Sequence, residues 1–208
     1  MKPIPVKKIL SPLVPYIAIG IGFLVFHNAW LTVLGYHAGM IIVLLLSNKG
    51  TALKPVFRCK NYWFPLITAL VGASSGVVLY LLWPYLSLPP DINVFLRSIR
   101  LSGGSWLVFI AYFSLINPFI EEYYWRGYLG SAAKGITLND MLFSGYHLVV
   151  LVGLIGNIWL LVVFCGLTLG AWLWRQMNRL NRGLLASTIS HLTADMAIVL
   201  MIYYFSMK

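Results

Sequence analysis

Residues 105–129 read SWLVFIAYFSLINPFIEEYYWRGYL. As a helix rising about 1.5 Å per residue, this run is long enough to cross the roughly 30 Å hydrocarbon core of a bilayer. Two adjacent carboxylates and a guanidinium, Glu121, Glu122 and Arg126, stand inside it. An ionised side chain at the bilayer centre costs at least about 2.5–3.5 kcal/mol on insertion scales. Such groups therefore face the protein interior, pair with one another, and mark a working site by default.

The rest of the chain has the same character. Of its 208 residues, 60% are hydrophobic and 10% are charged, whereas a soluble domain is roughly 25% charged. Mean hydropathy is +0.85. No soluble domain is left over, so residues 1–208 are read as a single membrane domain. The N-terminal Lys2, Lys7 and Lys8 before an apolar run resemble a signal peptide, but without a small-x-small cleavage site they read as the start of an uncleaved first span. Cys59 and Cys165 form no CxxC, and neither a disulfide nor thiol chemistry is expected. The C-terminal Phe-Ser-Met-Lys carries no prenylation box.

Working outward, the apolar runs predict an all-α, polytopic transmembrane helical bundle of about seven spans, with six to eight as bounds. The first block, about Leu13 to Ser47, is too long for one span, and His27-Asn28 divides it into a helical hairpin. Further spans are expected at about Tyr62–Trp83, Ser105–Leu129, Leu138–Val152, Asn157–Trp174 and Gly183–Phe205. The stretch holding Arg97 and Arg100 reads as an interfacial helix. With the N-terminus in the cytoplasm, that side receives Lys2, Lys7, Lys8, Lys49, Lys54, Arg58, Lys60, Lys134, Arg175, Arg179 and Arg182. The far side receives only Arg97, Arg100 and Lys208. This asymmetry is what cytoplasmic loops produce, and it accounts for the net charge of +10 without nucleic acid.

The remaining acids and histidines extend the site. His147 lies in the span after the Glu pair, and His191 and Asp195 lie in the last one. Glu122 and Arg126 are spaced i,i+4 and share a helix face, whereas Glu121 is turned away from Glu122 by about 100°. Glu122 is thus expected to hold Arg126, and Glu121 to face the partner helices. Counting from the expected span ends puts Glu121, His147 and His191 at one depth, roughly 12 Å below the cytoplasmic surface. A carboxylate and two imidazoles at one level can activate a water, with Glu121 taking its proton and His147 positioning the same water or sharing the proton. His191 and Asp195 would then support the oxyanion of a tetrahedral intermediate. The set Glu121, His147 and His191 also has the chemistry to bind zinc or another divalent metal. Residue types alone leave both open. His27 and His37 have no acidic sequence neighbour and read as turn or interface residues. Asn117-Pro118 reads as a kink before the Glu pair.

Three motifs now stand in order, each in its own span. They are Glu121-Glu122-Tyr-Tyr-Trp-Arg126-Gly127 (EExxxR), Phe143-Ser-Gly-Tyr-His147 (FxxxH) and His191-Leu-Thr-Ala-Asp195 (HxxxN/D). Together they resemble the CPBP family of CAAX prenyl endopeptidases and bacteriocin-processing or self-immunity proteins, also called Abi. The resemblance covers residues 105–205 as a catalytic core and implies an intramembrane endopeptidase. By that resemblance Glu121 and His147 activate water, His191 and Asp195 form the oxyanion site, and Glu122 and Arg126 support them. The family has been described both as metalloproteases and as metal-independent glutamic proteases; the glutamic reading, with no cofactor, is favoured here over zinc. Several family members carry Asn at the last position. An ionised Asp195 would repel an oxyanion, so it is either protonated or orients His191.

The expected partners are the lipid bilayer and a membrane-associated protein or peptide precursor. The small size looks prokaryotic, which points to a cytoplasmic membrane and argues against a prenylated substrate. A non-catalytic immunity or scaffold protein would keep the fold while losing a motif residue, and none is lost. A proton-coupled transporter would show inverted repeats, and none is seen.

Overall fold

The break at His27-Asn28 is the first feature the structure resolves. In the computed structural model, which describes residues 10–47 and 54–208, His27 takes a positive φ of 45°. Asn28 then caps the following helix, its side chain accepting from Leu31 N–H at 3.1 Å. An Asx residue in extended backbone just before an apolar run is a standard helix start. The block therefore folds as two helices, α1 at Leu13–Ile19, continued by a π-helical turn at Gly20–Val25, and α2 at Ala29–Leu46.

One turn at Lys54–Phe57 precedes α3, Trp63–Leu82, which ends in a 3-10 turn at Trp83–Tyr85. The short α4, Ile92–Ser98, is capped by Asp91, whose carboxylate accepts from Asn93 N–H at 2.8 Å. Next come α5, Gly103–Glu121, with a π-helical continuation at Glu122–Tyr128, then α6, Leu138–Leu151, α7, Asn157–Asn181, and α8, Leu185–Ser206. The described residues contain no strand, so the molecule is an all-helical bundle. Five of its helical segments are long and apolar enough to cross a membrane. The segments at Leu13–Val25 and Leu138–Leu151 are shorter.

Contacts at the helix ends show the alternation directly. Tyr124 Oη donates to Ser11 O at 2.7 Å, and Lys60 N–H donates to Asn181 O at 3.0 Å. The start of α1, the end of α5 and the α7–α8 turn thus share one end of the bundle. At the opposite end Ala29 N–H donates to Ile99 O at 3.0 Å, Gly156 N–H to Leu86 O at 3.3 Å, and Asn93 Nδ2 to Ser206 O at 2.8 Å. Seven helices, α1 to α3 and α5 to α8, run up and down between these ends. Lys2, Lys7, Lys8 and Lys49 lie outside the described residues.

One expectation changes. Arg175 and Arg179 were expected in a loop, but α7 runs on to Asn181 and carries both. Arg175 is buried and pairs with Asp140 at 2.7 Å. It also donates to the backbone carbonyls of Gly135, at 2.6 Å, and Ala133. A charge at the wet end of a span is satisfied here by a partner on α6, so the helix need not stop before it. Asp140 meanwhile closes a capping box with Thr137 at the start of α6.

The outer faces are apolar and exposed: Trp63, Leu70, Val77 and Leu81 of α3 present more than half their surface. Such a face fits lipid and not water. Inside, α8 packs most extensively on α3 through small residues, Gly72 and Gly76 facing Ser190, Thr193 and Ala197. Thr68 Oγ1 donates to Ala186 O at 3.0 Å, and Thr193 Oγ1 to Ala69 O at 2.9 Å. Close backbone approach with side-chain hydrogen bonds is how membrane helices associate when lipid tails are as apolar as leucine. The chain is a multi-pass integral membrane protein.

Candidate active site

Glu121 ends the regular part of α5, and at Glu122 the helix widens to π geometry. Leu129 N–H accordingly donates to Tyr124 O, five residues back, at 2.9 Å. Single π turns of this kind often occur at functional sites. Here the turn brings both carboxylates of the pair against one ring of α8, although they leave the helix in different directions. His191 Nδ1 lies 3.0 Å from Glu122 Oε1, and Nε2 lies 3.5 Å from Glu121 Oε2. Nε2 is also 3.5 Å from Oδ1 of Asp195, one turn along α8. Three carboxylates from two helices therefore surround one imidazole.

Glu122 holds Arg126, as the spacing predicts, with Nη1 3.0 Å from Oε1. That pair is too poorly aligned to count as a hydrogen bond, so both Nη groups lack an acceptor. The guanidinium instead lies 4.0 Å above the Phe143 ring centroid and 5.0 Å from that of Trp174. Phe143, the first residue of its motif, thus serves as the floor beneath Arg126. Trp174 stacks on His191 at 4.4 Å, completing an aromatic wall. Glu121, Glu122 and His191 expose no more than 2% of their surface. Burial on this scale demands partners for charged groups, which the cluster supplies only in part: Arg126 and His191 lie against Glu122, while Oε2 of both glutamates has no hydrogen-bond partner.

His147 stands slightly apart. Its Nδ1 meets Phe143 O at 2.8 Å, which fixes Nδ1 as the donor and leaves Nε2 with a lone pair. No hydrogen bond or ion pair joins it to Glu121 among the described residues. It approaches instead across two rings: it stacks on Tyr146 at 4.2 Å, and Phe143 touches both histidines edge-on. Of the expected site residues, Glu121, Glu122, Arg126, His191 and Asp195 form one contact network, and His147 flanks it. Asp195 and His147 are the more open members.

The alternative metal set does not converge. Among the described residues no three His, Cys, Asp or Glu side chains are arranged to hold a metal ion. In the set Glu121, His147 and His191, Glu121 and His191 approach to 3.5 Å, and no hydrogen bond or ion pair joins His147 to either.

Five further residues join the network. Tyr36 of α2 and Tyr146 of α6 both donate to Glu121 Oε1, Tyr146 at 2.7 Å. Asn117 Nδ2 donates to Asp195 Oδ2 at 2.9 Å. Asn117 Oδ1 meets His37 Nε2 at 3.0 Å, and His37 Nδ1 meets Tyr112 Oη at 2.9 Å. His37 is therefore a buried member of the network and not a turn or interface residue, whereas His27 does occupy a turn. Asn117 is spaced i,i+4 from Glu121, so its position on the site face was readable. Tyr36 and His37 lie in an apolar helix without an acid, and no local signal marks them.

Comparison with known proteins bears on the same segment. Residues 103–197 match the family model described as Rce1-like, type II CAAX prenyl endopeptidase. No curated protein and no solved structure shows a significant match to the chain. The matched segment runs from the start of α5 to the middle of α8 and contains all three motifs. Through residues 103–197, which hold every motif residue of the buried cluster, the chain matches the Rce1-like CAAX prenyl endopeptidases, a protease family.

Proposed function

We propose that the chain is an intramembrane endopeptidase that cuts a membrane-associated polypeptide with a water activated by Glu121, without a metal. The observation that carries this reading is the state of Glu121. Its Oε1 is held by two tyrosines, while Oε2 is buried with no hydrogen-bond partner and faces His191. A buried carboxylate oxygen left without a donor is costly unless a reacting molecule completes it.

In the proposed step Glu121 Oε2 takes a proton from water as the water oxygen bonds to the scissile carbonyl carbon. The carbonyl electron pair moves onto oxygen. His147 Nε2, left as an acceptor by the Phe143 contact, orients the water. His191 Nε2 is 3.5 Å from both Glu121 and Asp195, longer than a hydrogen bond. Its N–H thus remains available to the oxyanion. Asp195 spends Oδ2 on Asn117 and turns Oδ1 toward His191, which supports an orienting role over direct contact with the oxyanion. Collapse re-forms the carbonyl and breaks the C–N bond, and Glu121 returns its proton to the leaving amine.

The test uses the full chain in liposomes with a quenched-fluorescence peptide ending in a farnesylated CAAX box, beside its unprenylated form. Cleavage that disappears in Glu121→Ala at equal protein level supports the reading, and the favoured peptide identifies whether a prenyl group is recognised. Equal cleavage by Glu121→Ala overturns it, and cleavage of neither peptide rejects CAAX-type tails as substrates.

A further inference from the structure

We propose that α2, which lies outside the segment matched to the protease family, completes the active site. Tyr36 is the positioning residue for Glu121, and His37, acting through Asn117, is the positioning residue for Asp195. The inference rests on the proposed peptidase reading.

The polarity of the hydrogen bonds carries the argument. Asp195, as a carboxylate, only accepts, so the Asn117 atom facing it at 2.9 Å is the amide nitrogen. The reverse orientation would set two acceptors against each other. Asn117 Oδ1 then faces His37 Nε2 at 3.0 Å, and an amide oxygen only accepts, so Nε2 carries the proton. In the neutral ring Nδ1 is left with a lone pair, which accepts the Tyr112 hydroxyl at 2.9 Å. Every donor in the chain Tyr112, His37, Asn117 therefore points toward Asp195. His37 and Asn117 are each 2% exposed, so water does not substitute for either.

Tyr36, the preceding residue, acts on the other carboxylate. A phenol has one proton, and both Tyr36 and Tyr146 give theirs to Glu121 Oε1. The two hydroxyl oxygens, converging on that acceptor, lie 3.0 Å apart. With Oε1 filled, Oε2 is the oxygen turned toward His191 and the reaction. Two consecutive residues of α2 thus set the orientation of two acids on two other helices. A network built only for packing would not need a single proton direction running to Asp195.

Two measurements test this. The first is solid-state NMR of full-length protein in liposomes with 15N-labelled histidine; there are four histidines, and the His37 signal is assigned as the one lost in His37→Gln. The expected His37 signal is a neutral ring protonated at Nε2 and bare at Nδ1. A ring protonated at Nδ1 alone, or at both nitrogens, overturns the chain. The second compares cleavage by His37→Leu, His37→Gln and Tyr36→Phe. Outer-shell partners of this kind are worth roughly 10–100-fold in activity. His37→Leu and Tyr36→Phe are expected to lose turnover in that range with KM little changed. His37→Gln keeps one N–H and one carbonyl and is expected to recover most of the loss. Equal activity in His37→Leu and His37→Gln, whether full or lost, overturns the positioning role. Loss in Glu121→Ala without loss in His37→Leu sinks this inference alone, whereas full activity in Glu121→Ala sinks the peptidase reading beneath it.

Discussion

Replacing Gly72 by alanine tests how tightly α3 holds α8 and its His191. A Cβ at Gly72 would meet Ser190 O and Thr193 Oγ1 of α8 closer than any real contact, and Ser190 C at 2.9 Å. Ser190 immediately precedes His191. A backbone carbonyl cannot rotate away as a side-chain tip can, so α8 has to move. Restoring an ordinary contact of at least 3.4 Å to the carbonyl carbon takes about 0.5 Å, and the oxygen demands more. Overpacking of this kind costs about 1–3 kcal/mol. A misplacement near 1 Å in a catalytic group costs about 100-fold in rate. Gly72→Ala is therefore expected to lower the thermal midpoint modestly and the cleavage rate severely. Gly76→Ala, whose Cβ would lie 2.9 Å from Ala197 Cβ one turn farther from His191, is expected to lose stability with a smaller loss of rate. Gly35→Ala, with nothing within 4 Å, is the neutral control. Thermal unfolding in detergent and peptide cleavage in liposomes read the two effects separately. Wild-type rate and midpoint in Gly72→Ala would refute the claim that the α3–α8 seam sets the position of His191.

Other consequences are as direct. Glu121→Gln keeps an oxygen for the Tyr36 and Tyr146 hydroxyls, so the thermal midpoint is expected to hold while cleavage is abolished; a large stability loss would contradict that assignment. Glu122→Gln strands the buried Arg126 charge, and breaking such a pair costs about 3–5 kcal/mol, so a sharp fall in folded yield is expected; an unchanged midpoint would refute it. Asp140→Asn breaks the buried pair with Arg175 at the end of the bundle; stability is expected to fall by a similar amount while the rate per folded molecule is kept. Prolonged chelation is expected to leave cleavage unchanged, and activity lost to chelation and restored by zinc would return the metal reading.

Much of this architecture was legible because the membrane restricts what a chain can do. Apolar run length placed the helices, and the scarcity of acids made Glu121, Glu122 and Asp195 stand out. His27-Asn28 was readable as a break because a polar pair inside a run too long for one span has few other uses. The end of α7 was misjudged at Arg175 for a definite reason: a buried partner, Asp140, lies 35 residues away and leaves no mark near the arginine. The contribution of α2 was hidden in the same way. Tyr36 and His37 touch residues 75 to 110 positions distant in sequence, and no local pattern reports such a contact. Helix periodicity separated Glu121 from Glu122, but the π turn and the ring of His191 between them were visible only in three dimensions.

The central claim is that a buried carboxylate inside the bilayer activates water to cut a polypeptide. Its most direct test is a comparison of protein termini in membranes that carry either the wild-type chain or Glu121→Gln at matched levels. The account predicts a discrete set of new termini, at or near membrane-associated segments, present with the wild type and absent with the variant. Identical sets of termini in the two membranes would contradict it.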